Sequence, residues 1–96
     1  GATFASFASA KHALRALAES MARELGPKGI HVGHIIVDGM IDSLAVREKF
    51  PAEVQALPEG GLLKPDHIAE VYWTMYSQPK DAWTFEMDVR PSVEQW

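Results

Sequence analysis

The sequence predicts an α/β chain built on a parallel sheet, and three observations carry that prediction. A long run of helix formers, Thr3 to Leu25, leads into an Ile- and Val-rich segment, "GIHVGHIIVDG", that is apolar on both faces. A second helical run, "KPDHIAEVYWTMYSQP", is followed by "AWTFEMDVRP", which alternates apolar and polar residues. Strand, crossover helix and strand in that order make a βαβ unit, whose strands lie parallel.

The first helix contains neither Gly nor Pro, and Ala, Leu, Met, Glu, Arg and Lys dominate it. Phe4, Phe7, Ala8, Leu14, Leu17, Ala18, Met21 and Leu25 recur at spacings of three and four, while Arg15, Glu19 and Arg23 form a charged ridge expected to face solvent. Gly26 and Pro27 end the helix, the glycine as the residue that tolerates positive φ and the proline as one that cannot continue the ladder.

The next segment reads as a strand between Gly29 and Gly39, with Ile30, Val32 and Ile36 on one side and Ile35 and Val37 on the other. A strand apolar on both faces is covered on both, as in doubly wound parallel sheets. Met40 to Lys64 is irregular, rich in Pro and Gly, and reads as a loop carrying one short helix around Ser43 to Phe50. Asp66 reads as the cap of a helix that runs to about Ser77 and gathers Ile68, Val71, Tyr72 and Met75 on one face. In the last strand Trp83, Phe85, Met87 and Val89 share the buried side, and Thr84, Glu86, Asp88 and Arg90 the other. Two strands do not satisfy a strand that asks for neighbours on both edges, so the chain reads as part of a larger sheet without its first half.

Composition narrows the function classes. The chain has 96 residues, 47% of them hydrophobic and 23% charged, which indicates a folded globular segment. A net charge of −4 leaves no basic stripe for nucleic acid. No apolar run reaches the roughly 18 residues of a membrane-spanning helix, and no signal-peptide pattern is present at the start. The absence of cysteine excludes disulfide and thiolate chemistry and fits a cytoplasmic location.

Few residues suggest chemistry by themselves. His31 and His34 alternate to opposite sides of a strand and make a poor metal pair, His12 and His67 read as surface residues, and no metal site is expected. Asp38 reads as ending its strand through a local backbone hydrogen bond, in preference to pairing with Asp42 as an acid/base couple. Glu53 and Glu59 read as solvated, and Trp73, Trp83 and Trp96 as aromatic burial or interface. Lys11 interrupts an apolar stripe one turn after Phe7, and on the residues alone it is a lysine running its stem along that stripe to water.

"FASFASAKHALRALAESMARELGPKGIHV" closely resembles the active-site helix and following strand of the short-chain dehydrogenases/reductases, in which a tyrosine, three residues and a lysine open the helix. The resemblance extends over the whole chain: "VDGMIDS" is similar to the loop after that strand, the irregular stretch to the substrate loop, and "WTFEMDVRP" to the last strand. It implies an α/β fold, the C-terminal part of a Rossmann-like doubly wound parallel sheet, with residues 1–96 as the C-terminal segment of a single NAD(P)-binding domain.

In the family the tyrosine is the general acid/base, the lysine lowers its pKa and holds the nicotinamide ribose, and an upstream serine orients the substrate. Residues four apart on a helix share a face, so a phenol and an ammonium can converge on one bound molecule. Here Lys11 matches the lysine, but Phe7 stands at the tyrosine position and carries no exchangeable proton; it reads as a core aromatic. General acid/base catalysis contributes about 10²- to 10⁴-fold, and that contribution is lost unless another group supplies it. Thr3, one turn earlier, could hold a water, whereas Ser6 and Ser9 face elsewhere and Tyr72 and Tyr76 belong to the later helix. Gly39, Ile41 and Ser43 correspond to the loop whose backbone touches the nicotinamide carboxamide, with Asp38 in place of a proline.

The implied activity is hydride transfer between NAD or NADP and an alcohol or carbonyl substrate. The chain alone is expected to be inactive and to bind no cofactor. The alternative is a non-catalytic relative that serves oligomerisation or ligand sensing. The resemblance implies a homo-oligomer in either case, with contacts through Ala10 and Ala13 of the long helix and through Trp83 to Trp96.

Overall fold

The computed structural model describes residues 2–94, with side chains from residue 4 onward. Its elements are a helix α1 (Ala2–Leu25), a 3-10 turn (Gly26–Lys28), a strand β1 (His34–Val37), helices α2 (Leu44–Lys49), α3 (Pro51–Ala56) and α4 (Pro65–Tyr76), and a strand β2 (Glu86–Val89). Among the described residues β1 and β2 form a two-stranded sheet. The pairing is parallel: the His34 N–H donates to the Phe85 carbonyl at 2.7 Å and the Asp38 N–H to that of Val89 at 2.9 Å, so both strands advance together. The chain forms two compact units, Gly1–His34 with Gln78–Met87 and Ile35–Ser77 with Asp88–Trp96.

In the first unit α1 turns an unexpected face inward. Ala8, Arg15, Ala18, Glu19, Ala22 and Leu25 are its half-buried positions. The large apolar stripe stays in solvent, with Phe4 72%, Phe7 60%, Leu14 52% and Leu17 59% exposed. The inward face thus consists mostly of small side chains with an arginine and a glutamate, whereas more than half of each bulky side chain of the stripe is exposed. Phe7 is therefore not the core aromatic that the sequence suggests.

The helix also ends differently from the expectation. Gly26 and Pro27 enter a 3-10 turn, where a proline at the second position costs no hydrogen bond, and it is Gly29, at φ 85°, that takes the left-handed conformation. The Gly29 N–H closes that turn on the Gly26 carbonyl at 2.9 Å.

The first strand is shorter than its apolar text. His34–Val37 alone is ladder-paired, and Ile30 is exposed. Upstream of it the chain is tied by a side chain instead: His31 Nε2 donates to the Thr84 carbonyl at 2.8 Å, and its ring stacks on Trp83 at 4.6 Å between centroids. Gln78 secures the same segment, accepting from the Thr84 N–H at 2.7 Å and donating to the Thr84 hydroxyl at 2.8 Å.

The second unit holds the buried apolar side chains, Leu63 at 8% exposure and Met75 at 7%. Met75 lies on α4 with Ile68 and Val71 half-buried beside it, but Tyr72, Trp73 and Tyr76 are exposed. Lys64, not Asp66, is the N-cap residue of α4; Pro65 starts the helix and Asp66 sits in its first turn, where an acidic group favours the helix dipole. The expected short helix is present as α2, capped by Ser43. A further helix, α3, follows directly, started by Pro51.

Candidate functional site

On α1, Lys11 and Phe7 lie one turn apart and touch: the Lys11 ammonium stands 5.4 Å from the centroid of the Phe7 ring. The attraction between a cation and an aromatic face holds the ammonium above this ring. His12, beside them, donates from Nδ1 to the Ala8 carbonyl at 2.8 Å and stays on the surface. Thr3 lies outside the described side chains.

A half-buried polar cluster stands further along the same unit. Glu86 Oε1 accepts from Arg15 Nε at 2.7 Å and from His34 Nδ1 at 3.1 Å, while Arg15 also pairs with Glu19 and Glu19 with Arg23. The Arg15 guanidinium lies 5.5 Å from the Phe85 ring. Hydrogen bonds from Arg15 and then His34 hold the Glu86 carboxyl below its ordinary value. Arg15 of the charged ridge is thus engaged with Glu86 of β2, whereas Arg23, 79% exposed, stays in solvent as expected and pairs only with Glu19.

The second unit contains the loop with Gly39, Ile41 and Ser43, which is tied along two borders. On one, Ile41 forms a parallel bridge with Leu63: the Leu63 N–H donates to the Met40 carbonyl at 2.8 Å and the Asp42 N–H to the Leu63 carbonyl at 2.7 Å. In such a bridge the N–H and C=O of the central residue point away from the partner. Ile41 therefore presents one donor and one acceptor on the opposite edge, and among the described residues neither has a backbone partner.

On the other border Asp38 forms an ion pair with Arg90, whose Nη1 stands 3.0 Å from Oδ2, and Arg90 grips both carboxylate oxygens of Asp88 with hydrogen bonds of 2.9 and 2.6 Å. This bidentate grip lowers the Asp88 pKa and raises that of Arg90. Asp38 thus ends its strand through an arginine and not through a local backbone bond of its side chain. Asp42 has a separate partner, Arg47 Nε at 2.7 Å, so the two aspartates do not form an acid/base couple.

Gly39, at φ 156°, lies so near Pro91 that an added Cβ would stand 2.9 Å from the proline Cδ. The Ser43 oxygen accepts from the Val46 N–H at 3.2 Å and caps α2, which leaves its hydroxyl proton to donate elsewhere. Beside the loop opens a cleft of about 300 Å³, lined among others by Asp42, Arg47, Leu57, Glu59 and Lys64. Among the described residues no group of three or more metal-ligating side chains converges, and no helix is long and apolar enough to cross a membrane. Trp96 lies outside the described residues.

The structure thus brings Lys11 to Phe7 within the first unit, and Gly39, Ile41 and Ser43 into one tied loop within the second. Sequence reasoning missed the role of Arg90. The signal was present, since Asp88 and Arg90 are two apart in extended chain and share a side. The Ile41 bridge to Leu63 joins positions too far apart in an irregular stretch for any periodicity to reveal.

The family model described as Enoyl-(Acyl carrier protein) reductase matches residues 1–87. Among solved structures, a short-chain dehydrogenase from Rhodopseudomonas palustris is similar at 48% identity and a TM-score of 0.63, over 92% of this chain and 30% of that one. No curated protein matches the chain. The element order, the parallel pairing and that partial coverage agree with part of a Rossmann-like α/β fold, and the chain belongs to the short-chain dehydrogenase/reductase family.

Proposed function

We propose that the chain is the C-terminal portion of an NAD(P)-dependent oxidoreductase that transfers hydride between the cofactor and an alcohol or carbonyl substrate, and that the 96-residue chain alone neither binds cofactor nor turns over. The observation that carries the reading is the free edge of Ile41. A carboxamide offers one donor and one acceptor side by side, and the outward N–H and C=O of Ile41 are their complement. Gly39 keeps the backbone bare next to that edge, and the Ser43 hydroxyl has a proton left to donate. Lys11 holds the nicotinamide ribose, and the cleft beside the loop receives part of the substrate. When bound, the nicotinamide supplies the hydride; the chain's residues bind it, orient it and keep its carboxamide in register.

Proton transfer is where this chain departs from its family. Phe7 stands where the resemblance places a tyrosine, and its ring can hold the Lys11 ammonium but can neither give nor take a proton. The wild-type protein therefore forfeits the general acid. The test is turnover of the full-length protein, wild type against Phe7→Tyr, with NADH and NADPH over a panel of aldehydes, ketones and alcohols. The variant is expected to gain about 10²-fold or more. Equal turnover by both would show that another group moves the proton and would refute the assignment of Phe7.

A second reading is a non-catalytic member that keeps the fold to assemble or to sense a ligand, and the missing hydroxyl together with the exposed Phe4, Phe7, Leu14 and Leu17 favours it. On this reading the protein is cytoplasmic and homo-oligomeric, with contacts through α1 and through the last helix and strand. Cofactor binding and dimerisation with no turnover on the panel, Phe7→Tyr included, would select it.

A further inference from the structure

We propose that Asp38 and Arg90 are positioning residues for cofactor binding: the Asp38–Arg90–Asp88 ion triad fixes the register of the Gly39–Ser43 loop so that the Ile41 donor and acceptor meet a carboxamide. This inference rests on the cofactor reading above. The loop has two borders, and they are secured by different means. Its Leu63 border is held by two backbone hydrogen bonds, from Leu63 N–H to Met40 and from Asp42 N–H to Leu63. Its other border begins with one backbone bond, from Asp38 N–H to Val89, and beyond that point Gly39 only packs against Pro91.

The side chain of Asp38 supplies what that border lacks. Arg90 reaches it with Nη1 at 3.0 Å while Nε and Nη2 remain locked on Asp88, so the guanidinium cannot swing with the loop. A planar guanidinium held by two of its nitrogens presents the third in a fixed direction, which a lysine cannot do. The Arg90 side chain is only 18% exposed, whereas that of Asp38 is 50% exposed, so the anchor is the better enclosed of the two and the loop carries the exposed partner. Removing the Asp38 carboxylate frees one border, and the loop divides its time between the binding register and others. A binding-competent fraction of about one tenth raises the apparent Kd about tenfold, since apparent affinity scales with that fraction.

The experiment uses the full-length protein and whichever of NADH and NADPH the wild type binds more tightly, titrated by nicotinamide fluorescence with the number of sites fitted. Asp38→Ala is expected to raise Kd about tenfold with the site number unchanged. Arg90→Lys, which keeps the charge but not the fork, is expected to fall between it and wild type. Protection of the Asp42 amide from hydrogen exchange is expected to drop in parallel in Asp38→Ala, because that N–H is bonded across the loop to Leu63. A merely structural role would reduce the number of sites or the melting temperature and leave Kd alone, and that result would overturn the proposal. Should Asp38→Ala fail to fold, Asp38→Asn, which keeps the shape and loses the charge, is read the same way, and a wild-type Kd there overturns it. A wild type that binds neither cofactor refutes the cofactor reading, and this inference falls with it. Intact wild-type binding with unchanged Kd and Asp42 protection in the variant refutes the positioning role alone.

Discussion

Replacing Gly39 with alanine tests the packing of the candidate cofactor loop. At φ 156° an L side chain is strained, at a cost of about 1–3 kcal/mol. The added Cβ would also lie 2.9 Å from Pro91 Cδ and 3.3 Å from Pro91 Cγ and Leu63 Cδ1. Pro91 is buried and its ring is part of the backbone, so it cannot yield as the end of a flexible chain would. Overpacking against such a neighbour costs about 1–3 kcal/mol more. The sum, about 2–6 kcal/mol, would be read by urea denaturation of the full-length protein. Gly60→Ala is the control. That glycine is also left-handed, at φ 80°, but nothing lies within 4 Å of its Cβ, so the substitution should cost only about 1–2 kcal/mol. If the two variants are equally destabilised, the seating of the loop on Pro91 is wrong.

Two further outcomes are expected. The Glu86 carboxyl is held below its ordinary 4.5 by Arg15 and His34, so its contribution to stability is complete above about that pH and is lost as pH falls through the lowered folded-state value; Glu86→Gln should flatten the acid limb of the stability profile measured by urea denaturation between neutral and acidic pH. Ser43→Ala removes the cap of α2 and should cost about 1 kcal/mol in the same assay, with Ser43→Asp restoring most of it.

The order of elements was legible in the sequence because helix formers and β-branched runs are separated by Gly and Pro. The face that α1 turns inward was not. Periodicity marked Phe4, Phe7, Leu14 and Leu17 as its apolar side, yet Ala8, Ala18 and Ala22 pack within the first unit, and Arg15 joins them because Glu86 and the Phe85 ring receive it. A hydrophobic stripe tells which side is apolar and not which neighbour is present to cover it. The first strand was overread for a related reason: Ile30 and Val32 are strand-like residues, but His31 docks on Trp83 and Thr84 by its side chain and the ladder starts only at His34. α3 was missed although Pro51 is a favoured helix start, because the surrounding prolines and glycines read as loop. Within the candidate site, the spacing of Phe7 and Lys11 was legible as a shared helical face, and the structure adds that the ammonium rests on the ring. The Asp38–Arg90 pair joins distant positions, which a single sequence does not connect.

The central claim is that Lys11 and the Ile41 edge serve a nicotinamide cofactor, and the most direct measurement is calorimetric titration of NADH and NADPH into the full-length protein. Saturable binding of at least one of them is predicted, weakened by Lys11→Ala and not by Lys28→Ala, a change to an exposed lysine of the 3-10 turn. Binding of neither cofactor by the wild type, or equal binding by the Lys11 variant, would contradict the account.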